Sequence, residues 1–213
     1  TPAGAYLEMV VDVGVATFFQ DSLATLLHGD VLACLRSLPD ASVQTCVTSP
    51  PYFGLRDYGL PPQDWPEVTY CPMAGLPCVT VPAQVVCLGL EAAPEAFVGH
   101  LVLVFREVWR VLRDDGTLWL NIGDSYAGSG GAHAGHHSNP GISQSAKRQQ
   151  TYGKHKYHDE RPLPDGLPPG LKAKDLCMIP ARLALALQAD GWYLRSEITW
   201  AKKAPMPESV TDR

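Results

Sequence analysis

Apolar and polar positions recur along this chain with two different periods, and the changes of period mark its elements. Val43-Gln44-Thr45-Cys46-Val47 is an apolar run that predicts a short buried strand. Val31 to Leu38, ahead of it, reads as a short helix. Phe97, Leu101, Val104, Phe105, Val108 and Leu112 recur at helical spacing. Glu95 stands near the start of that pattern, and Arg110 and Arg113 lie in its last turn, as the helix dipole favours. Asp114-Asp115-Gly116 is expected to end this helix and Thr117 to Ile122 to form a strand. A further helix is predicted from Pro180 to Ala189, with proline in its first turn and Asp190-Gly191 as its stop. Trp192 to Trp200 then alternates as a strand.

Strand, helix, strand, helix, strand predicts an α/β fold, a mostly parallel sheet with helices on both faces and long loops. Ligands in such sheets bind beyond the carboxyl ends of the strands, where Ser49 to Tyr52 and Gly123-Asp124 would both lie. Periodicity lapses twice, over residues 61–94, rich in proline, cysteine and glycine, and over residues 127–172. Both are expected to be loop-rich insertions in one domain spanning residues 1–213.

Thr48-Ser49-Pro50-Pro51-Tyr52 follows the first strand at the point where its backbone can no longer pair. Two prolines remove two N–H donors and fix the backbone, leaving the Ser49 hydroxyl and nearby carbonyls as acceptors. An aromatic ring comes immediately after. Acceptors beside a stacking ring suit a planar amine, whose lone pair is conjugated into its ring until hydrogen bonds draw the nitrogen toward tetrahedral geometry.

Ser49-Pro50-Pro51-Tyr52, preceded by Gly29-Asp30, resembles the catalytic motif of the amino-group DNA methyltransferases, which methylate cytosine N4 or adenine N6. Phe105 to Tyr126 and Ile198 to Lys203 are similar to the helix and strands that follow that motif in the beta-ordered subgroup. The resemblance implies a partial Rossmann-like methyltransferase fold, with S-adenosylmethionine as cofactor and double-stranded DNA as substrate. It assigns Ser49 and the Pro50 carbonyl to the target amine, Pro51 to holding the turn rigid, and Tyr52 to stacking on a base flipped out of the duplex. Asp30 is implied to lie by the adenosine of the cofactor. Serine before the two prolines leans toward cytosine N4.

Composition narrows the picture further. With 46% hydrophobic residues and a net charge of −5, the chain lacks a generally basic coat, so DNA contact must come from local patches. Lys147, Arg148, Lys154 and Lys156, interleaved with Tyr152 and Tyr157, combine phosphate-pairing cations with stacking rings and form the candidate DNA contact. The six cysteines lack Cys-x-x-Cys spacing and are expected to be reduced thiols, with Cys34 and Cys46 as small core hydrophobes. Cys71, Cys78 and Cys87 would supply three ligands of a zinc site without an obvious fourth, and no metal is assigned. His133, His136 and His137 read as solvated loop residues. The apolar stretch Met9 to Phe19 is interrupted by Asp12 and too short to span a bilayer, so no membrane span is expected, and the resemblance implies a cytoplasmic protein, bacterial or phage-encoded.

Two segments imitate a cofactor loop. Val10 to Ala16 has alanine where a second glycine belongs, and too few residues separate it from Ser49. Gly128-Ser129-Gly130-Gly131 follows a strand, but polar, aperiodic sequence stands where a helix should follow. The beta-ordered enzymes carry their cofactor loop after the catalytic half, and no Phe-x-Gly-x-Gly follows Pro180. The chain is therefore expected to be the N-terminal part of a methyltransferase, completed by a second chain or a C-terminal half, and to bind S-adenosylmethionine weakly or not at all by itself. The alternative is a non-catalytic remnant that binds DNA or a partner. A methyltransferase of protein side-chain amides, with its Asn-Pro-Pro-Tyr motif, would need a cofactor loop well upstream, for which there is no room.

Overall fold

The structure is a computed structural model that describes residues 15–55, 57–127, 167–168, 170–172, 174–201 and 203. They divide into two compact units, Thr1–Val47 with Val104–Trp119 and Thr48–Leu103 with Leu120–Arg213.

In the first unit, β1 (Ala16–Gln20) and β2 (Thr25–His28) form an antiparallel hairpin. Its turn is closed by Asp21, whose Oδ1 accepts the N–H groups of Leu23 and Ala24, both at 2.7 Å. Those bonds hold the Asp21 carboxyl below its usual range. Asp30 caps the short helix α1 (Val31–Arg36), accepting the Ala33 N–H at 3.0 Å. The strand expected at 43–47 forms as β3 (Val43–Thr48).

The long helix α2 (Pro94–Val111) ends earlier than its sequence suggests, and β8 (Leu112–Leu120) starts at once. The last carbonyls of α2 are the reason. Arg110 and Val111 give theirs to the N–H groups of Ala41 and Ser42, so the chain is already beside the approach to β3 when it leaves the helix. Asp114-Asp115-Gly116, expected to break the helix, lies inside the strand instead: pairing with β3 overrides the local turn signal. The two strands run parallel, with the Gln44 amide on the Asp115 carbonyl and Thr45 against Thr117. Arg110 fastens α1 to α2 by donating to the carbonyls of Leu35 and Leu38 while pairing with Glu107 and Asp40.

In the second unit, residues 61–94, expected to be a loop-rich insertion, contain a β-ribbon from Gln63 to Val86. β4 (Gln63–Trp65) pairs with β7 (Gln84–Val86), and β5 (Val68–Tyr70) with β6 (Val79–Val81), all antiparallel. The register continues unshifted from Gln63↔Val86 to Tyr70↔Val79, so these are two stretches of one hairpin. Pro66 and Pro82, lacking N–H donors, fall in the gap between the stretches. The same register sets Cys71 opposite Cys78, and they form a disulfide, which corrects the expectation of six reduced thiols. The ribbon's buried side chains, Trp65, Val68, Tyr70 and Val81, pack on α2. Gly99 makes this approach possible: a Cβ there would stand 3.0 Å from Val81 and 3.1 Å from Val68.

Helix α3 (Ile179–Ala189) starts one residue before its predicted Pro180. It stops in a Schellman arrangement, with the Trp192 N–H on the Leu187 carbonyl, the Gly191 N–H on that of Gln188, and Gly191 at φ +111°. The strand expected over Trp192 to Trp200 does not form. None of its residues is in a strand, and its Tyr193, Ile198 and Trp200 are exposed. The mostly parallel sheet is thus represented, among the described residues, by the β3–β8 pair alone. None of the described helices is long and apolar enough to cross a membrane.

Candidate active site

The second unit contains the whole Ser-Pro-Pro-Tyr turn. The Asn121 N–H bonds to the Thr48 carbonyl at 2.9 Å, the last rung before Pro50 and Pro51 end the possibility of pairing. Ser49 is exposed, and Pro50, Pro51 and Tyr52 are half-buried. Phe53, buried, packs on Phe97 of α2 with ring centroids 5.6 Å apart. Gly54, at φ +63°, turns the chain and donates to the Gly89 carbonyl at 2.7 Å.

The Tyr52 ring lies against Gly123. A Cβ on that glycine would come within 2.7 Å of Tyr52 Cε2 and 2.9 Å of Cδ2, so only glycine leaves room for the ring where it stands. Two segments singled out in the sequence, Ser49–Tyr52 and Gly123-Asp124, are therefore side by side. Asp124 itself has a structural task. Met178 offers α3 no side-chain cap, and Asp124 Oδ1 supplies one from afar, accepting the Ile179 N–H at 3.0 Å together with the Ser125 N–H.

Behind this turn lies a buried pair that the sequence reading did not single out. Glu91 Oε1 accepts from His100 Nδ1 at 2.8 Å, with both side chains wholly buried, and Glu91 Oε2 accepts the Gly89 N–H at 2.8 Å. Trp65 stacks on the His100 ring at 4.4 Å. A signal was nonetheless present: His100 falls three residues after Phe97 and four before Val104, on the apolar stripe of α2, where a polar side chain needs a partner.

Burial pushes the thiols of Cys34, Cys46 and Cys177 above their ordinary value, and the charge of Asp30 adds to the shift at Cys34. Asp30 Oδ1 accepts the Ala33 N–H of the α1 cap at 3.0 Å. Lys147, Arg148, Lys154 and Lys156 lie outside the described residues, as do His133, His136, His137 and Gly128 to Gly131.

A Ser-Pro-Pro turn leaves a parallel strand, with its following aromatic ring lodged on the turn after the neighbouring strand, in a chain of α/β class. Known proteins make the class specific. The DNA methylase family of N6 and N4 amino-group enzymes matches residues 43–213, and the chain belongs to that family. Methyltransferases of this family use S-adenosylmethionine. The chain is 45% identical to the type II methyltransferase M.Cfr9I of Citrobacter freundii over 89% of its own length and 50% of that enzyme's. It is 46% identical to M.XycI of Xanthomonas campestris pv. cyanopsidis over the same shares, and 38% identical to M.SmaI of Serratia marcescens over 88% of the chain and 51% of the relative. The chain thus spans about half the length of these curated relatives. No solved structure matches it.

Proposed function

We propose that this chain provides the base-binding and reacting loop of a type II DNA methyltransferase acting on an exocyclic amine, with cytosine N4 favoured over adenine N6. The observation that carries the reading is the Tyr52 ring fixed on Gly123 directly after Ser49-Pro50-Pro51. The Ser49 hydroxyl and the Pro50 carbonyl accept the two amine hydrogens and localise the nitrogen lone pair, while Tyr52 stacks on the flipped base. S-adenosylmethionine, when bound, would supply an electrophilic methyl group, its sulfur–methyl bond breaking to leave S-adenosylhomocysteine as the amine nitrogen takes the methyl and gives up one proton to solvent. Asp30 is the described residue suited to the cofactor, a carboxylate matched to a ribose diol. The described residues form no wider cradle for it.

In this reading β3, β8 and α2 belong to a Rossmann-like methyltransferase sheet. The remaining half, on the same or a second chain, covers the exposed Tyr193, Ile198 and Trp200 and brings the rest of the cofactor site. Lys147, Arg148, Lys154 and Lys156 pair with DNA phosphates. The share of its relatives that the chain spans keeps one rival open, a non-catalytic remnant that binds DNA or a partner.

The experiment supplies the chain with the half of a relative such as M.Cfr9I that it does not span, adds duplex DNA and methyl-labelled S-adenosylmethionine, and digests the product to nucleosides. N4-methylcytosine supports the full reading. N6-methyladenine keeps the chemistry and moves the target; label in neither base leaves the remnant.

A further inference from the structure

The loop after Ser49 does not stand by itself. Gly89 is gripped on every side: its N–H by Glu91 Oε2 at 2.8 Å, its carbonyl by the Gly54 N–H at 2.7 Å. Its Cα packs so closely that a Cβ would meet the Tyr52 carbonyl at 2.9 Å and Pro51 at 3.4 Å, in a backbone already at φ +94°. Glu91 is held in turn by His100 Nδ1 at 2.8 Å, and His100 Nε2 faces the Gln84 amide nitrogen at 3.2 Å. With that amide donating to Nε2, the proton that faces Glu91 is the one on Nδ1. Trp65 closes the His100 face at 4.4 Å and ties itself to the Val86 carbonyl.

The series runs without a break from the β-ribbon through Gln84, His100 and Glu91 to Gly89, and so to Tyr52 and Gly54. Burying a carboxylate is costly unless each oxygen is met, and here the two oxygens meet two different parts of the unit. A packing role alone would be filled more cheaply by apolar side chains. The ribbon also contains no lysine or arginine between Asp57 and Pro94, so it offers phosphates no charged partner.

We propose that the buried Glu91–His100 pair is a positioning device that sets the Tyr52 turn through Gly89, with the β-ribbon as its brace. It touches neither base nor methyl donor. The claim deepens the proposed function and rests on it for its purpose, while the mechanical link can be tested without any activity.

Residue-resolved amide exchange on the 213-residue chain makes that test, comparing wild type with Glu91→Ala, Glu91→Gln and Gly89→Ala. In Glu91→Ala the amides of Gly89 and Gly54 should exchange about tenfold faster or more, the effect of losing a bond to a charged acceptor. Those of Phe97, Val98 and Leu101 in α2 should hold their protection. Glu91→Gln should restore protection: its amide oxygen still accepts from Gly89, its nitrogen donates to His100 Nδ1, and His100, with its proton moved to Nε2, meets the Gln84 amide turned over to present its oxygen. Gly89→Ala, which leaves the pair intact, should free Gly54 alone. A uniform rise across α2 in Glu91→Ala, or no change at Gly54 in either variant, would overturn the inference. If the wild-type chain supplied with its missing half methylates no DNA, the proposed function fails while the exchange pattern still decides the link.

Discussion

Tyr52 stands where it does because residue 123 is a glycine: the ring edge occupies the space that any β-carbon at that position would fill, 2.7 Å from Cε2. Under the proposed function that ring stacks on a flipped base and must present its face, and a neighbour without a side chain is one way to fix which edge turns inward.

Gly123→Ala should therefore act on Tyr52 before it acts on the fold. The ring is half-buried and can swing away, so thermal unfolding should change little. Methyl transfer by the completed enzyme should fall about ten- to a hundredfold, the scale on which a misplacement of roughly 1 Å slows a positioned reaction. Stopped single-turnover transfer, read beside a melting curve, separates the two effects. Unchanged transfer would mean that the ring's position is not what matters.

Tyr70 gives the second unit a specific sensitivity to alkali. Burial, and then the nearby charge of Glu95, pushes its phenol from 10.0 up to about 12, with Arg182 pulling the other way. An unfolded chain sheds this proton near the ordinary value, whereas the folded one keeps it. Stability is then whole below pH 10 and declines as pH rises toward 12, by about 1.4 kcal/mol per pH unit and about 3 kcal/mol in all. Tyr70→Phe should remove this decline and cost about 1 kcal/mol at neutral pH for the lost bond to the Glu95 carbonyl. Urea unfolding across the alkaline range measures both, and parallel pH curves for the two proteins would refute the assignment.

Gly191 ends α3 at φ +111°, with nothing within 4 Å of where a Cβ would go. Gly191→Ala should thus pay only for backbone strain, about 1 kcal/mol, visible as a lower melting temperature. A neutral outcome would show that the Schellman stop carries no stability.

How much of this was legible in advance follows from the range over which each feature is decided. The stop at Asp190-Gly191 and the strand at Val43 are local: a turn glycine and an apolar run suffice, and both form where expected. The ribbon was hidden because its four strands have three residues each, too few for alternation to be counted, and prolines at 66 and 82 look like loop. Only the pairing register makes Trp65, Val68, Tyr70 and Val81 one buried face. Leu112 to Gly116 misled for the opposite reason, since a strong local turn signal lost to a strand partner some seventy positions away. At the site, the adjacency of Tyr52 and Gly123 could be foreseen from sheet topology, as neighbouring strands end together. Glu91 and His100 could not be paired from sequence, because nothing in a lone glutamate before a helix says which buried histidine it will meet.

Salt dependence examines the basic loop. If Lys147, Arg148, Lys154 and Lys156 pair with phosphates, duplex affinity should fall with a log–log slope of roughly −0.9 for each phosphate neutralised. Changing all four to alanine should flatten that slope. The same slope in the variant would move the DNA contact elsewhere.

The most direct examination of the central claim is the rate of methyl transfer by the completed enzyme carrying Ser49→Ala or Tyr52→Ala, measured with the Kd for duplex DNA. The account predicts that Ser49→Ala slows transfer with duplex binding nearly intact, because the hydroxyl acts on the amine and not on the backbone. It predicts that Tyr52→Ala loses roughly 1–3 kcal/mol of base stacking. Transfer by both variants at the wild-type rate would contradict the assignment of this turn to the reacting base.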